Sequence, residues 1–543
     1  MNPNSLWYKN ATFYEVYVRA FCDSNGDGHG DLPGLTGKLN YLKDLGVDCL
    51  WLLPLYPSPL VDDGYDIADY YGIHPAYGTI TDFKAFLNEA HALGMRVITD
   101  LVLNHTSDQH PWFQAARTDR NSPFRDYYVW SDSDQKYKDA RIIFLDAEKS
   151  NWAWDEVAGQ YYWHRFYSSQ PDLNYDNPIV RQEMLKVMKY WLDMGVDGFR
   201  ADAVPYLFER ENTNCENLPE THAYIKDIRR FMDENYPDKL LLCEANQWPE
   251  DVRPYFGNGD EFHMGFNFPI MPRIYSAVRR ADVTPLVWIM NRTPPIPANC
   301  QWCVFLRNHD ELTLEMVTEE ERNWMWQEYA PESRMRLNLG IRRRLAPLLD
   351  HDRKKIELVN SLLFTLPGSP IIYYGDEIGL GDNIWLPDRN GVRTPMQWDD
   401  QPNAGFASPG IPKDLLYAPM INVYPYSPGE VNVAAQNVDP TSLLSIIRRM
   451  IAVRKKFQVF GLGDFAWVEC DNLAIATYLR TYQGEKLLII NNLSGMAQSV
   501  LVRVPGYLRN SLLDLLSATV IPPPQEDKLA LSLEPYQYLW IKI

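Results

Sequence analysis

No apolar run in this chain of 543 residues reaches the roughly 18 that a membrane span needs, so no transmembrane segment is expected. Met1-Asn2-Pro3-Asn4-Ser5 is not a basic segment followed by an apolar one; no signal peptide is visible, and the chain reads as cytoplasmic. Cations are in deficit, 52 Lys plus Arg against 71 Asp plus Glu, for a net charge of -19. That argues against nucleic acid or an anionic membrane as partner and favours a neutral or cationic ligand. Cysteines are few and scattered: Cys22, Cys49, Cys215, Cys243, Cys300, Cys303 and Cys470. An odd number argues against a disulfide framework. Cys300-Gln301-Trp302-Cys303 has metal-like spacing but no second pair, so buried thiols are expected there rather than zinc ligands. Short repeats and low-complexity tracts are missing too. In contrast, 17 Trp and 33 Tyr are many; such rings stack on sugars, but they also fill cores.

The length allows two or three domains. From Thr12 to about Tyr374, eight apolar runs alternate with helix-period stretches. They are Tyr14 to Ala20, Val47 to Leu53, Met95 to Leu103, Val196 to Ala201, Leu240 to Cys243, Phe262 to Phe268, Cys303 to Leu306 and Ile371 to Tyr374. Leu35, Leu39, Leu42 and Leu45 recur at helical spacing before Gly46, a suitable residue just past a helix end. Thr81 is expected to cap a helix running to Gly94. Eightfold strand–helix alternation predicts an α/β fold of the (β/α)8 TIM-barrel type, with its site at the C-terminal strand ends. The polar, Trp-rich text after the third strand predicts an inserted subdomain. A Pro-, Gly- and Asn-rich segment predicts a second, lid-like insertion, and turn-punctuated alternation near the end predicts an all-β sandwich domain. The expected domains are barrel at 1–104 and 175–457, inserted subdomain at 105–174, lid-like segment at about 375–440, and C-terminal β domain at 458–543.

Three acids each end an apolar run: Asp202, Glu244 and Asp310. Singly, each is a solvated strand-end carboxylate; in register, they suit glycosidic-bond chemistry. Arg200, two residues before Asp202 on a strand, shares its face and can hold it ionised. Glu244 follows an apolar run, where desolvation raises a carboxyl pKa. Asp23-Ser24-Asn25-Gly26-Asp27-Gly28-His29-Gly30-Asp31 sets oxygen side chains on alternate residues of a Gly-rich turn, which suits Ca²⁺. No Glu stands at the twelfth position, so it is not an EF-hand, and a metal-free Asx turn is the alternative.

Four motifs occur in order: Asp100-Leu-Val-Leu-Asn104-His105, Gly198-Phe-Arg200-Ala-Asp202-Ala-Val204, the strand ending in Glu244, and Asn308-His309-Asp310. Together they resemble the α-amylase family of retaining glycosidases and transglycosidases. Gln170-Pro171-Asp172-Leu173-Asn174 is similar to the signature of its oligo-1,6-glucosidase branch. The stretches Asp62 to Tyr70, Glu244 to Pro249, Gly375 to Asn383 and Arg393 to Trp398 look most like the maltose-isomerising members.

The resemblance implies Asp202 as nucleophile, Glu244 as acid/base and Asp310 as a sugar-hydroxyl ligand that stabilises the transition state. It implies His105, His309, Gln170 and Arg200 around one glucose, with Asp66 and Arg393 clamping its far side. Arg389 competes with Arg393, and Phe166 is either a stacking ring or a core aromatic. The implied reaction is intramolecular transglucosylation interconverting maltose and α,α-trehalose through a β-glucosyl ester on Asp202, with some hydrolysis. An α-glucosidase using the same residues is the alternative, and Val204 suits α-1,4 bonds in both. The family also implies structural calcium in the 23–31 loop, with side chains of Asp23, Asn25, Asp27 and Asp31 and the carbonyl of His29. A second site would use Asn104, Asp172 and Glu209 with the carbonyls of Tyr206 and Leu207. A homo-oligomer and a separate maltokinase stay open as partners. A non-catalytic relative is disfavoured, because all three acids are present.

Overall fold

The computed structural model describes residues 3–504 and 511–543. The eight apolar runs become β1 (Phe13–Val16), β2 (Cys49–Leu52), β3 (Arg96–Val102), β4 (Gly198–Asp202), β5 (Leu240–Cys243), β6 (Met264–Phe266), β7 (Gln301–Phe305) and β8 (Ser369–Tyr373). Neighbours pair in parallel, and β1 closes on β8 with Phe13 opposite Ile371, so the expected barrel forms. Every residue of β1, β2, β4, β5, β7 and β8 is buried. That is why these strands read as continuous apolar runs: helices cover their outer face and side chains fill the interior.

Register puts the acids at one rim. Ala201 pairs with Cys243, and the Glu244 N–H reaches the Ala201 carbonyl at 3.1 Å, so Asp202 and Glu244 stand at the same level. Helix α1 (Leu39–Leu45) ends on Gly46 at φ 97°, which glycine adopts without steric cost. Helix α2 (Ile80–Ala92) is capped by Thr79, not Thr81. The Thr79 hydroxyl accepts from the Asp82 N–H while the Asp82 carboxylate accepts from the Thr79 N–H. This reciprocal capping box satisfies two end donors, which a cap two residues later would leave open.

After β3 the chain leaves the barrel and forms a three-stranded antiparallel sheet from Trp130–Ser131, Trp152–Asp155 and Gln160–Trp163. Its Trp run packs internally, with the Trp152 and Trp163 rings 5.0 Å apart. The sheet is tied to the barrel rim where the Leu173 N–H meets the Asn104 carbonyl at 2.9 Å. The segment after β8 is mostly irregular and folds back onto the helical turn that follows β1, with Trp398 Nε1 donating to the Phe21 carbonyl at 2.7 Å. Helix α3 (Leu443–Lys456) returns the chain to the barrel. The last residues form a six-stranded and a two-stranded β-sheet with their own apolar core around Leu488, Ile490 and Ile541. Tyr482 opposite Glu485, with Gln483 at φ 49° and Gly484 at φ 87°, makes a tight hairpin turn. Among the described residues no helix is long and apolar enough to cross a membrane.

Candidate active site

Arg200, buried on β4, organises the rim. Its Nη1 donates to Asp202 Oδ1 at 2.6 Å and to Asp100 Oδ1 at 2.5 Å, and its Nη2 pairs with Glu244. One guanidinium therefore spans both carboxyls and holds Asp202 and Glu244 on the same rim of the barrel. Burial pushes Glu244 up to about 7 against the pull of Arg200, with the Asp202 charge adding to the rise. Burial also lifts Asp202 to about 6, opposed first by Arg200. Burial thus brings both carboxyls toward neutral pH, with Glu244 the higher of the two.

The opposite wall is an ion network. Asp310 accepts from Arg389 and Arg393, each at 3.0 Å, and meets His309 Nε2 at 3.1 Å. Burial opposes its charge, but His309 and the two arginines hold it well below the usual carboxylate range. His309 stacks on Tyr65, rings 5.4 Å apart and 12° from parallel, and its Nδ1 lies 2.6 Å from Glu15 Oε1. Burial alone holds His105 neutral, pushing it down to about 3. Asn104 Nδ2 lies 3.4 Å from its Nδ1, which leaves Nε2, without a partner, to carry the proton.

Three expectations are corrected here. Asp66 does not line the pocket. It is fully buried, and its carboxylate accepts from Ser58 Oγ at 2.8 Å and from the Val61 N–H at 2.9 Å, closing its own loop. Asp62, four residues earlier, faces the pocket and takes Arg389 at 2.8 Å and Gln170 Nε2 at 2.9 Å. The clamp is therefore Asp62 with Arg389; Arg393 lies beneath, braced on Asp63 and the His309 carbonyl. Gln170 acts through Asp62 and does not itself line the pocket.

The cleft between these walls encloses about 840 Å³, counting its open mouth. Ile143, Phe144 and Phe166 from the first insertion and Arg389 from the second close its sides. Phe166 thus faces the pocket beside His105, ring centroids 5.2 Å apart. Beyond Glu244, Asn246, Thr313 and Glu315 form the outer end, and Arg141 bridges Glu315 at 2.7 Å and Glu216 at 2.8 Å.

Comparison with known proteins gives the family. Residues 15–463 match the model of the alpha amylase catalytic domain, and residues 465–540 match that of the maltogenic amylase C-terminal domain. The chain belongs to the α-amylase family. It is 54% identical to a trehalose synthase of Pimelobacter sp., over 99% of this chain and 96% of that one. It is 53% identical to a trehalose synthase/amylase of Mycobacterium tuberculosis, over 99% of this chain and 90% of that one. A crystal structure of the trehalulose synthase from Pseudomonas mesoacidophila superposes with a TM-score of 0.78 at 27% identity, covering 99% of each chain.

The residues expected to hold calcium divide into two sets. In the 23–31 loop, Asp23 accepts from the Gly28 N–H at 2.9 Å, Asp31 from the Ser24 N–H at 2.9 Å, and Asp27 from the His29 N–H at 2.9 Å. Asn25 Oδ1 accepts from the Asp27 N–H at 2.8 Å. Among the described residues, no three His, Cys, Asp or Glu side chains converge as a metal cluster. The donors are nonetheless all hard oxygens, the chemistry that Ca²⁺ takes. In the second set, Asp172 Oδ2 and Glu209 Oε1 are buried with no hydrogen-bond partner. Burial lifts Asp172 to about 8, and it raises Glu209 well above its usual value with the Asp172 charge second. Two orphaned carboxylate oxygens that repel each other fit a cation between them. The carbonyls of Tyr206 and Leu207 lie on the turn just after the nucleophile.

Proposed function

We propose that this enzyme is an isomerase that interconverts maltose and α,α-trehalose by retaining transfer of a glucosyl unit. The single guanidinium bridging Asp202 and Glu244 carries the chemical part of this reading. Relatives named trehalose synthase, 53–54% identical over nearly the whole chain, support the choice of substrate.

Glu244 protonates the glycosidic oxygen of maltose while Asp202 attacks the anomeric carbon. The products are a β-glucosyl ester on Asp202 and free glucose. The glucose stays against Asn246, Thr313 and Glu315 and turns its anomeric hydroxyl to the ester. Glu244, now ionised, takes the proton from that hydroxyl, the new bond forms, and α,α-trehalose results. Two inversions preserve the α configuration. Asp62 and Arg389 cap the far side of the bound glucose, which limits that side to one sugar. His105, His309 and Asp310 hold its hydroxyls, and these contacts tighten as the ring flattens. Water must stay out during the turn, and Phe144, Phe166 and Arg389 supply the walls that exclude it. Imperfect closure gives hydrolysis to glucose as the side reaction.

Calcium held by Asn104, Asp172 and Glu209 with the carbonyls of Tyr206 and Leu207 would neutralise the buried acids and pin the first insertion to the nucleophile's loop. In the other loop, Asp23, Asn25, Asp27 and Asp31 with the His29 carbonyl would hold a second ion. Both roles are structural. An NMR time course on maltose tests the reaction, reading trehalose and free glucose together. Trehalose in excess of glucose is expected; glucose alone would overturn the isomerase in favour of an α-glucosidase.

A further inference from the structure

Glu15 lies behind the His309 ring, fully buried on β1. Its Oε1 accepts from the His309 backbone N–H at 3.1 Å and lies 2.6 Å from the same residue's Nδ1. Among the described residues it pairs with no other cation. A buried carboxylate needs a compensating charge, and the His309 ring supplies one only when doubly protonated. The ring's other nitrogen, Nε2, is 3.1 Å from Asp310 Oδ2 and 2.9 Å from Tyr65 Oη. A neutral imidazole donates on one side only, and here each nitrogen faces a carboxylate oxygen. Stacking against Tyr65 and the edge of Trp51, 5.8 Å away, keeps the ring from turning.

We propose that Glu15 is a positioning residue: it fixes His309 as an imidazolium against the transferred glucose and cancels that ring's charge. Uncancelled, the same cation would repel the oxocarbenium-like transition state. With Glu15 behind it, the ring offers a charge-assisted donor and steadies Asp310 without that penalty. Other charged and titratable groups face the ring from every side. Asp310 and Asp100 on β3 favour its proton, as does Glu244 just past β5. Arg200 on β4, through Tyr65, and Arg393, on the His309 carbonyl, oppose it. The balance agrees with the geometry: burial lowers the ring's affinity for its proton, yet Asp310 and then Glu15 raise it to about 9. The kinetic readout of this inference rests on the glucosyl transfer proposed above; its structural content does not.

Glu15→Gln keeps the shape and one acceptor oxygen but removes the charge. In that variant kcat/KM for maltose should fall roughly tenfold to a hundredfold, the value of one charge-assisted hydrogen bond. The alkaline limb, which Glu244 sets near 7 in the wild type, should also become steeper as the ring loses its second proton closer to that pH. An unchanged pH profile and rate would overturn the proposal, as would a loss of thermal stability with no change in profile. A second measurement needs neither the variant nor the sugar chemistry. In protein labelled with ¹⁵N-histidine, the His309 signal is assigned by its disappearance in His309→Gln. It should keep its imidazolium signature through about pH 8. A neutral His309 at pH 7 would overturn the proposal even if Glu15→Gln failed to fold. If maltose gave no trehalose while the imidazolium persisted, only the reaction reading would fall.

Discussion

Replacing Arg200 by lysine tests the site at its most connected point. The guanidinium contacts Asp100, Asp202 and Glu244 and the Tyr65 hydroxyl. Lysine keeps the charge but offers one compact ammonium where a planar fork served several acceptors, so it cannot hold nucleophile and acid together. Each charge-assisted bond lost costs about 1.5–3 kcal/mol. One such loss in the transition state is about a tenfold to hundredfold fall in rate. A second effect adds to it. Arg200 is the main influence lowering Asp202 against burial, so the nucleophile's pKa should rise from about 6 in Arg200→Lys. At pH 7 a smaller share of the enzyme then carries an ionised nucleophile. The combined expectation is a loss of about a hundredfold to a thousandfold in kcat/KM for a chromogenic α-glucoside. The acid limb should move to higher pH.

The same substitution has a signed effect on stability. Unpairing a buried carboxylate costs about 3–5 kcal/mol if it stays charged. Asp100, Asp202 and Glu244 would instead keep their protons to higher pH in the folded state than in the unfolded chain. Groups raised in this way give stability that is complete below their unfolded pKa values and lost as pH rises through the folded ones. Arg200→Lys should therefore melt closer to wild type in acid than at pH 8. A variant within threefold of wild type, with an unmoved acid limb, would refute the reasoning that one guanidinium organises the pair.

Asp202 at about 6 and Glu244 at about 7 titrate as a coupled pair, so kcat/KM against pH should be a bell with its top between those values. A plateau extending far above pH 8 would contradict a protonated Glu244 as the acid. Asp62→Asn should cut kcat/KM at least about tenfold by unseating Arg389, with little change in melting; Asp66→Asn should do the reverse, destabilising its loop by about 1–3 kcal/mol. Kinetics and thermal melts on the two variants check this contrast. Chelator should lower the melting temperature of the wild type, and Glu209→Gln should shrink that shift, because one of the two orphaned carboxylates is gone. Equal shifts in both proteins would detach calcium from Glu209.

Sequence made the barrel legible because strands buried on both faces must be apolar throughout, and eight such runs alternate with amphipathic stretches. It made the three acids legible because each breaks such a run at its end. Sequence alone does not place the helix start at Thr79, because Thr79 and Thr81 are equally good caps as residue types. Only the Asp82 partner, three residues after Thr79, separates them. Sequence alone does not separate Asp62 from Asp66 for a related reason. Both are acids in one loop, and which faces the cleft depends on a turn that ties Asp66 to Ser58. Glu15 sits in the middle of an apolar strand, where no position rule marks it; its partner His309 lies 294 residues away in sequence.

These residues divide by their supports. Asp202, Glu244, His309 and Asp310 hang on or just past barrel strands, whose parallel register fixes their height and separation. Asp62, Phe144, Phe166 and Arg389 come from loops and insertions that the barrel does not need in order to close. Bond cleavage needs only the first group, since it is complete once two carboxyls and a sugar-binding wall face each other. The fate of the glucosyl ester needs the second group, because water and glucose compete for the same carbon and only enclosure separates them. A change in the first group should therefore lower the total rate while leaving the ratio of trehalose to glucose nearly constant. In the second group, Phe144→Ala should leave total maltose consumption within a few-fold and shift products toward glucose. Product ratios that followed the strand residues instead would mean that selectivity is set by the chemistry at the rim and not by the walls.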